Sequence, residues 1–112
     1  MNVIRETPYG QIAFCPCQNL YHFEFGNIFI RFTSQELQNF KDYVFSIDYK
    51  YYLSLNSKAR NIRKLMLCVG QENVFFSLHE HEFLALKELL SCKELPKRNL
   101  SVNINDFNIN LN

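Results

Sequence analysis

The chain has 112 residues, of which 47% are apolar, 15% aromatic and 21% charged. This length predicts one domain, and the apolar content excludes a wholly disordered chain. Apolar runs do not approach the roughly 20 residues of a membrane-spanning helix, which argues against a spanning protein. Twelve basic and eleven acidic residues give a formal net charge of +1, a balance that argues against a broadly electrostatic nucleic-acid binder.

The first six residues show neither the basic start nor the long apolar core of an export signal. We therefore expect a cytoplasmic protein. In that reducing compartment cysteines are expected as thiols or metal ligands rather than as disulfides. The chain has four of them, at Cys15, Cys17, Cys68 and Cys92.

The first predicted elements are strands. Residues 9–14 are expected to form a leading strand, and residues 21–25 alternate apolar and polar side chains as a half-buried strand does. Gly26-Asn27 fits a two-residue type II′ turn, because glycine stands at its first central position. Pairing outward from this turn puts six apolar side chains on one face of a hairpin. The predicted pairs are Phe25 with Ile28, Phe23 with Ile30 and Tyr21 with Phe32.

An amphipathic helix is predicted directly after this hairpin, over roughly residues 34–47. Thr33 and Glu36 fit a capping box, in which each side chain accepts a hydrogen bond from the backbone of the other. Apolar residues then recur at helical spacing and predict one buried stripe, made of Leu37, Phe40, Val44 and Ile47. The Tyr-rich piece that begins at Asp48 is interpreted as the end of this helix, and the remainder up to Lys64 as a polar connection.

The second half of the chain repeats this arrangement at an offset of 46 residues. A hairpin with the loop 70–73 is predicted, followed by a second helix in which His79 takes the N-cap position that Thr33 holds in the first. Fixed-offset self-similarity indicates one supersecondary unit used twice, at about residues 20–47 and 64–92. The predicted pairs of the second hairpin are Val69 with Val74, Leu67 with Phe76 and Leu65 with Leu78, and the second helix is expected to bury Phe83, Leu86, Leu89 and Leu90.

The sequence therefore predicts the α+β class, with an internal repeat of two β-hairpin–helix units. An antiparallel sheet of four or more strands carries two helices on one face. Residues 1–99 are expected to form a single domain. Residues 100–112 alternate apolar and polar side chains on both sides of Asn105-Asp106, which predicts either a strand hairpin or a partly mobile polar tail.

Several short segments resemble a family of small, uncharacterised proteins from Bacteroidetes-type bacteria. The resemblance covers roughly residues 12–92 and implies a short cytoplasmic protein with paired cysteines before its first hairpin. It implies no activity. The segments that carry it are Cys15-Pro16-Cys17 leading into residues 21–27, residues 32–44, Ile47-Asp48, the pair Arg63-Lys64 and the closing helix.

The strongest metal candidate is the set Cys15, Cys17 and His22, with Cys92 or Cys68 as a fourth ligand. Thiolate and imidazole suit tetrahedral zinc. The Cys-x-Cys spacing is nevertheless one residue shorter than the common knuckle, and no second cysteine pair follows. We therefore expect no cofactor and favour free thiols packed as small hydrophobic side chains. A zinc-stabilised domain is the alternative.

No segment carries a catalytic motif. His79 and His81 are two residues apart, whereas the His-Glu-x-x-His motif of zinc proteases needs four to bring both rings to one helix face. The chain also has no nucleophile elbow, phosphate loop or glycine-rich dinucleotide turn. We expect a non-enzymatic protein.

The sheet face opposite the helices suggests protein binding. Its apolar members are too many to be left bare together, so we expect the chain ends to cover part of it. A protein partner or a second copy would bind the remainder, and a protein-interaction module is the favoured function. The predicted partner residues are Phe29, Arg31, Met66 and Phe75, on a face shared with His22, Glu24, Cys68 and Ser77.

One local excess of positive charge gives a further alternative. Tyrosines just upstream of it would complete a small surface for phosphates and stacked bases, as in an RNA- or ribosome-associated protein. Four charges would bind only weakly, so we favour a solvated loop and expect no nucleic-acid partner. The cluster comprises Lys58, Arg60, Arg63 and Lys64, preceded by Tyr49, Tyr51 and Tyr52.

Overall fold

The computed structural model describes residues 1–58, 65–69 and 71–92. Strands β1 to β4 pair in chain order as one antiparallel sheet, and β5 and β6 form a two-stranded sheet. The predicted α+β class and a four-stranded antiparallel sheet are thus confirmed. The elements are β1 (Asn2–Thr7), β2 (Gly10–Cys15), β3 (Leu20–Phe25), β4 (Ile28–Phe32), α1 (Ser34–Ser46), α2 (Tyr49–Leu55), β5 (Leu65–Val69), β6 (Gln71–Leu78) and α3 (Glu80–Leu90).

The strands that make up the larger sheet differ from those expected. The leading strand is β2, one residue later than predicted, and β1 precedes it as an edge strand. No regular alternation predicts β1. Its register shifts between Val3 and Arg5, and none of its residues is buried. The two hairpins lie in separate sheets. The internal repeat of hairpin–helix units stays a prediction.

The first hairpin has the predicted register. Phe25 pairs with Ile28, and the pairing continues outward without irregularity to Tyr21 and Phe32. Gly26 has φ +60°, and Asn27 is not among the described residues with positive φ, as a type II′ turn requires. Glycine suits this position because it has no Cβ to clash in the left-handed region.

Helix α1 begins at the predicted capping box. The Thr33 hydroxyl accepts the Glu36 N–H at 3.1 Å, and the Glu36 carboxylate accepts the Thr33 N–H at 2.8 Å. The Tyr-rich piece is not the end of this helix, as the sequence pattern suggested, but a separate helix α2. The chain is extended at Ile47, and Asp48 caps the new helix by accepting the Tyr51 N–H at 3.2 Å.

The second hairpin follows the predicted register only in part. Leu65 pairs with Leu78 and Leu67 with Phe76, as expected. Val69 pairs with Gln71 rather than with Val74, because an irregularity between Cys68 and Val69 shifts the register. Helix α3 then begins at its predicted cap.

Helix α1 packs against β3 and β4, and α3 against β1, β2 and β6. The side chains predicted for the buried stripe of α3 are fully buried, as are Leu37, Phe40 and Val44 of α1. Phe40 joins the two sheets, because its ring lies 5.6 Å from that of Phe23 in β3 and 6.0 Å from that of Phe76 in β6. Residues from both sheets therefore share one hydrophobic cluster.

Some predictions concern residues outside the described ranges. These are the strand or tail at residues 100–112 and the end of the polar connection that includes Arg60, Arg63 and Lys64. Within the described ranges, no helix has the length and apolar content needed to cross a bilayer.

Candidate functional site

Two cysteines meet in the turn between β2 and β3. Cys15 is the last residue of β2, and the turn is closed by the Asn19 N–H donating to the Pro16 carbonyl at 3.3 Å. Asn19 has φ 55°, a left-handed conformation that asparagine tolerates better than most residues. The Sγ atoms of Cys15 and Cys17 lie 3.1 Å apart, with Cys15 buried and Cys17 exposed.

The two thiols have unequal acidity because of this contact. A hydrogen bond from the Cys17 thiol, followed by one from the Gln18 backbone N–H, lowers the pKa of Cys15. The same sulfur–sulfur hydrogen bond and the negative charge of Cys15 raise the pKa of Cys17. The first proton therefore leaves the pair from Cys15.

The candidate ligands of the alternative zinc site are not grouped in the part of the chain that the structure describes. Among the described residues, no three Cys, His, Asp or Glu side chains are grouped as metal ligands would be. Cys15 and Cys17 of the candidate set are in contact. His22 packs edge-on against Phe29, with ring centroids 5.3 Å apart, and its buried Nε2 has no hydrogen-bond partner among the described residues. The Cys92 thiol donates to the Ile4 carbonyl at 3.8 Å.

The predicted outer face exists on the first hairpin. Phe29 lies opposite Glu24, and Arg31 lies opposite His22. The Phe29 side chain is 48% exposed, and Arg31 is also exposed. An aromatic and a basic side chain thus alternate along β4 on the face away from the helices.

The second hairpin contributes to this face differently from the prediction. Met66 is 63% and Phe75 42% exposed. Cys68, expected beside them, is buried at 1% exposure, and its N–H donates to the Tyr43 hydroxyl at 3.0 Å. Pairing is regular from Leu65 to Cys68, so strand alternation by itself does not account for the burial of Cys68.

The four predicted partner residues do not line one groove. Phe75 lines a groove of about 400 Å³ together with Ile28 and the β3–β4 turn. Met66 lines a cavity of about 290 Å³ beside α2. Phe29 and Arg31 line neither of these two spaces. The four residues therefore occupy distinct parts of the surface.

No sequence pattern predicted a cavity beside α2, and the structure shows one. It lies between α1, α2, β5 and α3, with Tyr43, Tyr52 and Leu65 among its walls. Its volume of about 290 Å³ is at the lower limit of ordinary ligand pockets, which hold several convergent polar groups. The Tyr43 hydroxyl already accepts the Cys68 N–H. Tyr52 and Leu55 line this cavity from α2. Recognising α2 as a helix separate from α1 would have been the sequence signal for it.

The basic cluster is described only at its first residue, Lys58. The tyrosines before it lie on α2, where Tyr51 is 58% and Tyr52 40% exposed. Their rings pack edge to face against each other at 5.3 Å. The predicted phosphate-contacting arginines lie outside the described residues.

The histidines of the second helix have structural contacts. The His79 Nδ1 accepts the Glu82 N–H at 3.2 Å, and the Glu82 carboxylate accepts the His79 N–H at 3.0 Å, which completes a second capping box. His81 Nε2 lies 2.7 Å from the Tyr9 hydroxyl at the β1–β2 turn. One histidine therefore begins α3, and the other ties that helix to the larger sheet.

Comparison with known proteins gives a family but no characterised relative. No curated protein and no solved structure matches the sequence. One family model, described as a family of unknown function (DUF6686), matches residues 1–112. The chain therefore belongs to the DUF6686 family of unknown function.

Proposed function

We propose that the chain is a protein-interaction module, that its binding surface is the outer edge of β4, and that the bound strand is β4 of a second copy. The observation that supports this proposal is the register of the first hairpin. In the described parts of the chain β3 is the only strand paired with β4, so β4 is the edge strand of the sheet that those parts form.

The register determines which backbone groups face outward. In a two-residue hairpin the pair that flanks the turn exchanges both hydrogen bonds, and the following pairs alternate. Phe25 and Ile28 flank the turn, so Phe29 and Arg31 occupy non-hydrogen-bonded positions. Their N–H and C=O groups point away from β3. An edge of this kind is a template for a further strand.

The side chains on this edge are self-complementary. When two copies of β4 pair antiparallel with Ile30 opposite Ile30, each Phe29 faces Arg31 of the second copy. All four outward groups of each chain are then hydrogen-bonded, and no like charges stand opposite each other. The guanidinium can also lie over the phenyl ring, a contact worth about 0.5–1 kcal/mol at exposed sites.

A matched pair of substitutions at Arg31 tests the proposal. Arg31→Pro removes the outward N–H without removing any hydrogen bond to β3, because proline is tolerated where an edge N–H faces solvent. Arg31→Ala keeps the N–H and removes only the side chain. Sedimentation equilibrium over a range of concentrations measures association, and circular dichroism verifies the fold of both variants.

We expect the parent chain to form a concentration-dependent dimer and Arg31→Pro to stay monomeric. Arg31→Ala should dimerise about five- to thirtyfold more weakly, the equivalent of the two cation–π contacts that the symmetric dimer loses. A parent chain that is monomeric at every concentration contradicts the proposal. So does an Arg31→Pro variant that associates as well as the parent.

A further inference from the structure

The turn that holds Cys15 and Cys17 is not part of the β4 edge, and its two thiols can react with each other. Its two sulfur atoms are in direct contact at 3.1 Å, and they differ in accessibility. Cys15 is 8% exposed at the end of β2, whereas Cys17 is exposed in the turn. Two thiols packed merely as small hydrophobic side chains would not need this contact.

The backbone allows the pair to close. Two trans peptide bonds separate the two Cα atoms, since the described residues contain no cis peptide bond. Two such bonds keep the Cα atoms within about 7 Å, close to the upper end of the range that disulfides span. The turn already bends the chain at Pro16 to Asn19, so the sulfur atoms need to approach by only about 1 Å to reach bonding distance.

We propose that Cys15 and Cys17 form a redox-responsive pair, which closes to an intrachain disulfide by exchange with a low-molecular-weight disulfide such as glutathione disulfide. Cys17 is the sulfur that such a molecule can reach. Cys15 stands behind it as the resolving sulfur, hydrogen-bonded to Cys17 and to the Gln18 N–H.

The exchange takes two steps. In the first, the Cys17 thiol passes its proton to the Cys15 thiolate, and the Cys17 sulfur attacks one sulfur of glutathione disulfide. That S–S bond breaks, glutathione thiolate leaves, and a mixed disulfide remains on Cys17. In the second, Cys15 loses its proton and attacks the Cys17 sulfur, which expels the second glutathione as a thiol. The protein dithiol is oxidised by two electrons, and one glutathione disulfide is reduced to two glutathiones.

The other two cysteines provide an internal comparison. Cys68 is 1% and Cys92 4% exposed, and both lie in the core. Thiolate formation and access govern exchange. In the folded chain, exchange is therefore restricted to the turn.

The experiment follows the oxidation state of each cysteine. The full-length chain is equilibrated with mixtures of reduced and oxidised glutathione in a buffer that contains a metal chelator. Exchange is stopped with acid, free thiols are alkylated, and intact mass with peptide mapping locates each modified cysteine. Cys17→Ser and Cys15→Ser are treated in parallel, and the parent chain is also followed in denaturing urea.

We expect the parent chain to lose two thiols as a Cys15–Cys17 disulfide while Cys68 and Cys92 remain alkylatable after unfolding. Cys17→Ser should form no intrachain disulfide. Cys15→Ser should stop at one glutathione on Cys17, because the resolving sulfur is missing. The native chain should close the disulfide at least tenfold faster than the chain in urea.

Three results would overturn the proposal. The first is a native chain in which glutathione stays on Cys17 without closure of the ring. The second is equal closure rates in the native chain and in urea, which would make the pair a consequence of sequence spacing alone. The third is a disulfide that forms between other cysteines.

Discussion

At the scale of single residues, Gly10 shows how closely the sheet and α3 approach. A Cβ at this position would clash with the backbone carbonyl oxygen of Glu24 and would lie 3.1 Å from Cδ2 of Leu89. Glycine is therefore required by space. Gly26 is required by conformation instead, since an added Cβ would meet no atom within 4 Å but φ is +60°.

Gly10→Ala should lower the free energy of unfolding by about 1–3 kcal/mol, as overpacking does, because backbone and α3 must both shift. Urea denaturation measures the change. Gly26→Ala should also lower the free energy of unfolding, but through backbone strain at φ +60° rather than through contacts, since an added Cβ there meets no atom within 4 Å. A Gly10→Ala variant as stable as the parent would show that Glu24 of β3 and Leu89 of α3 leave room for a Cβ at position 10.

Tyr43 carries a pH dependence that can be predicted from its surroundings. Burial raises the pKa of its hydroxyl, and the hydrogen bond from the Cys68 N–H offsets this only in part. The unfolded chain therefore ionises Tyr43 at a lower pH than the folded chain does. The stability associated with this difference is fully present below the ordinary tyrosine pKa of about 10 and is lost as the pH rises above it.

We expect the free energy of unfolding of the parent to fall more steeply above pH of about 10 than that of Tyr43→Phe. At pH of about 8 the variant should be less stable by about 1 kcal/mol, because one hydrogen bond is missing. Urea titrations at several pH values provide both numbers. Parallel profiles for the two proteins would assign the alkaline loss to other groups.

At the scale of elements, the helix starts are the best-determined features. Thr33 and His79 cap α1 and α3 with the same pair of reciprocal hydrogen bonds. The residues involved are three apart in the chain, so the signal is local. By contrast, the boundary between α1 and α2 depends on the extended backbone of Ile47. No local sequence motif predicts that conformation at Ile47.

Thr33→Ala should destabilise the protein by about 1 kcal/mol, the usual value of an N-cap side chain. His79→Ala should cost a similar amount, and Thr33→Ser should be close to neutral because serine offers the same acceptor. Thermal or urea denaturation compares the three. The capping role of Thr33 would be disproved if the alanine and serine variants were equally stable.

At the scale of the whole molecule, the two sheets are expected to fold as one unit. Phe40 contacts Phe23 and Phe32 of the larger sheet and Phe76 of the smaller one. It is fully buried, whereas Phe45 on the same helix is 44% exposed. The single hydrophobic cluster gives neither sheet a core of its own.

We expect one cooperative unfolding transition, with coincident midpoints from tyrosine fluorescence and far-ultraviolet circular dichroism. Phe40→Ala should shift both probes together and cost about 3–5 kcal/mol. Phe45→Ala is the matched control, and its cost should be below about 1 kcal/mol, the scale of surface changes. Two separate transitions, of which Phe40→Ala moves only one, would contradict a shared core.

The sequence by itself determined the features that depend on residues close together in the chain. The register of β3 and β4 follows from Gly26-Asn27 and alternation, and the helix stripes and caps follow from spacings of three and four residues. The same local register identifies Phe29 and Arg31 as the outward residues of β4. The contact between Cys15 and Cys17 also arises between residues two apart.

Only the tertiary structure decided which strands share a sheet. β1 has little pattern of its own and joins β2 because that edge is available, while β5 and β6 pair apart from the larger sheet. The burial of Cys68 against Tyr43 and the separation of Met66 from Phe29 follow from this arrangement. The physical reason is that strand pairing across distant segments depends on which edges and core surfaces the rest of the chain leaves free, and no short stretch of sequence contains that information.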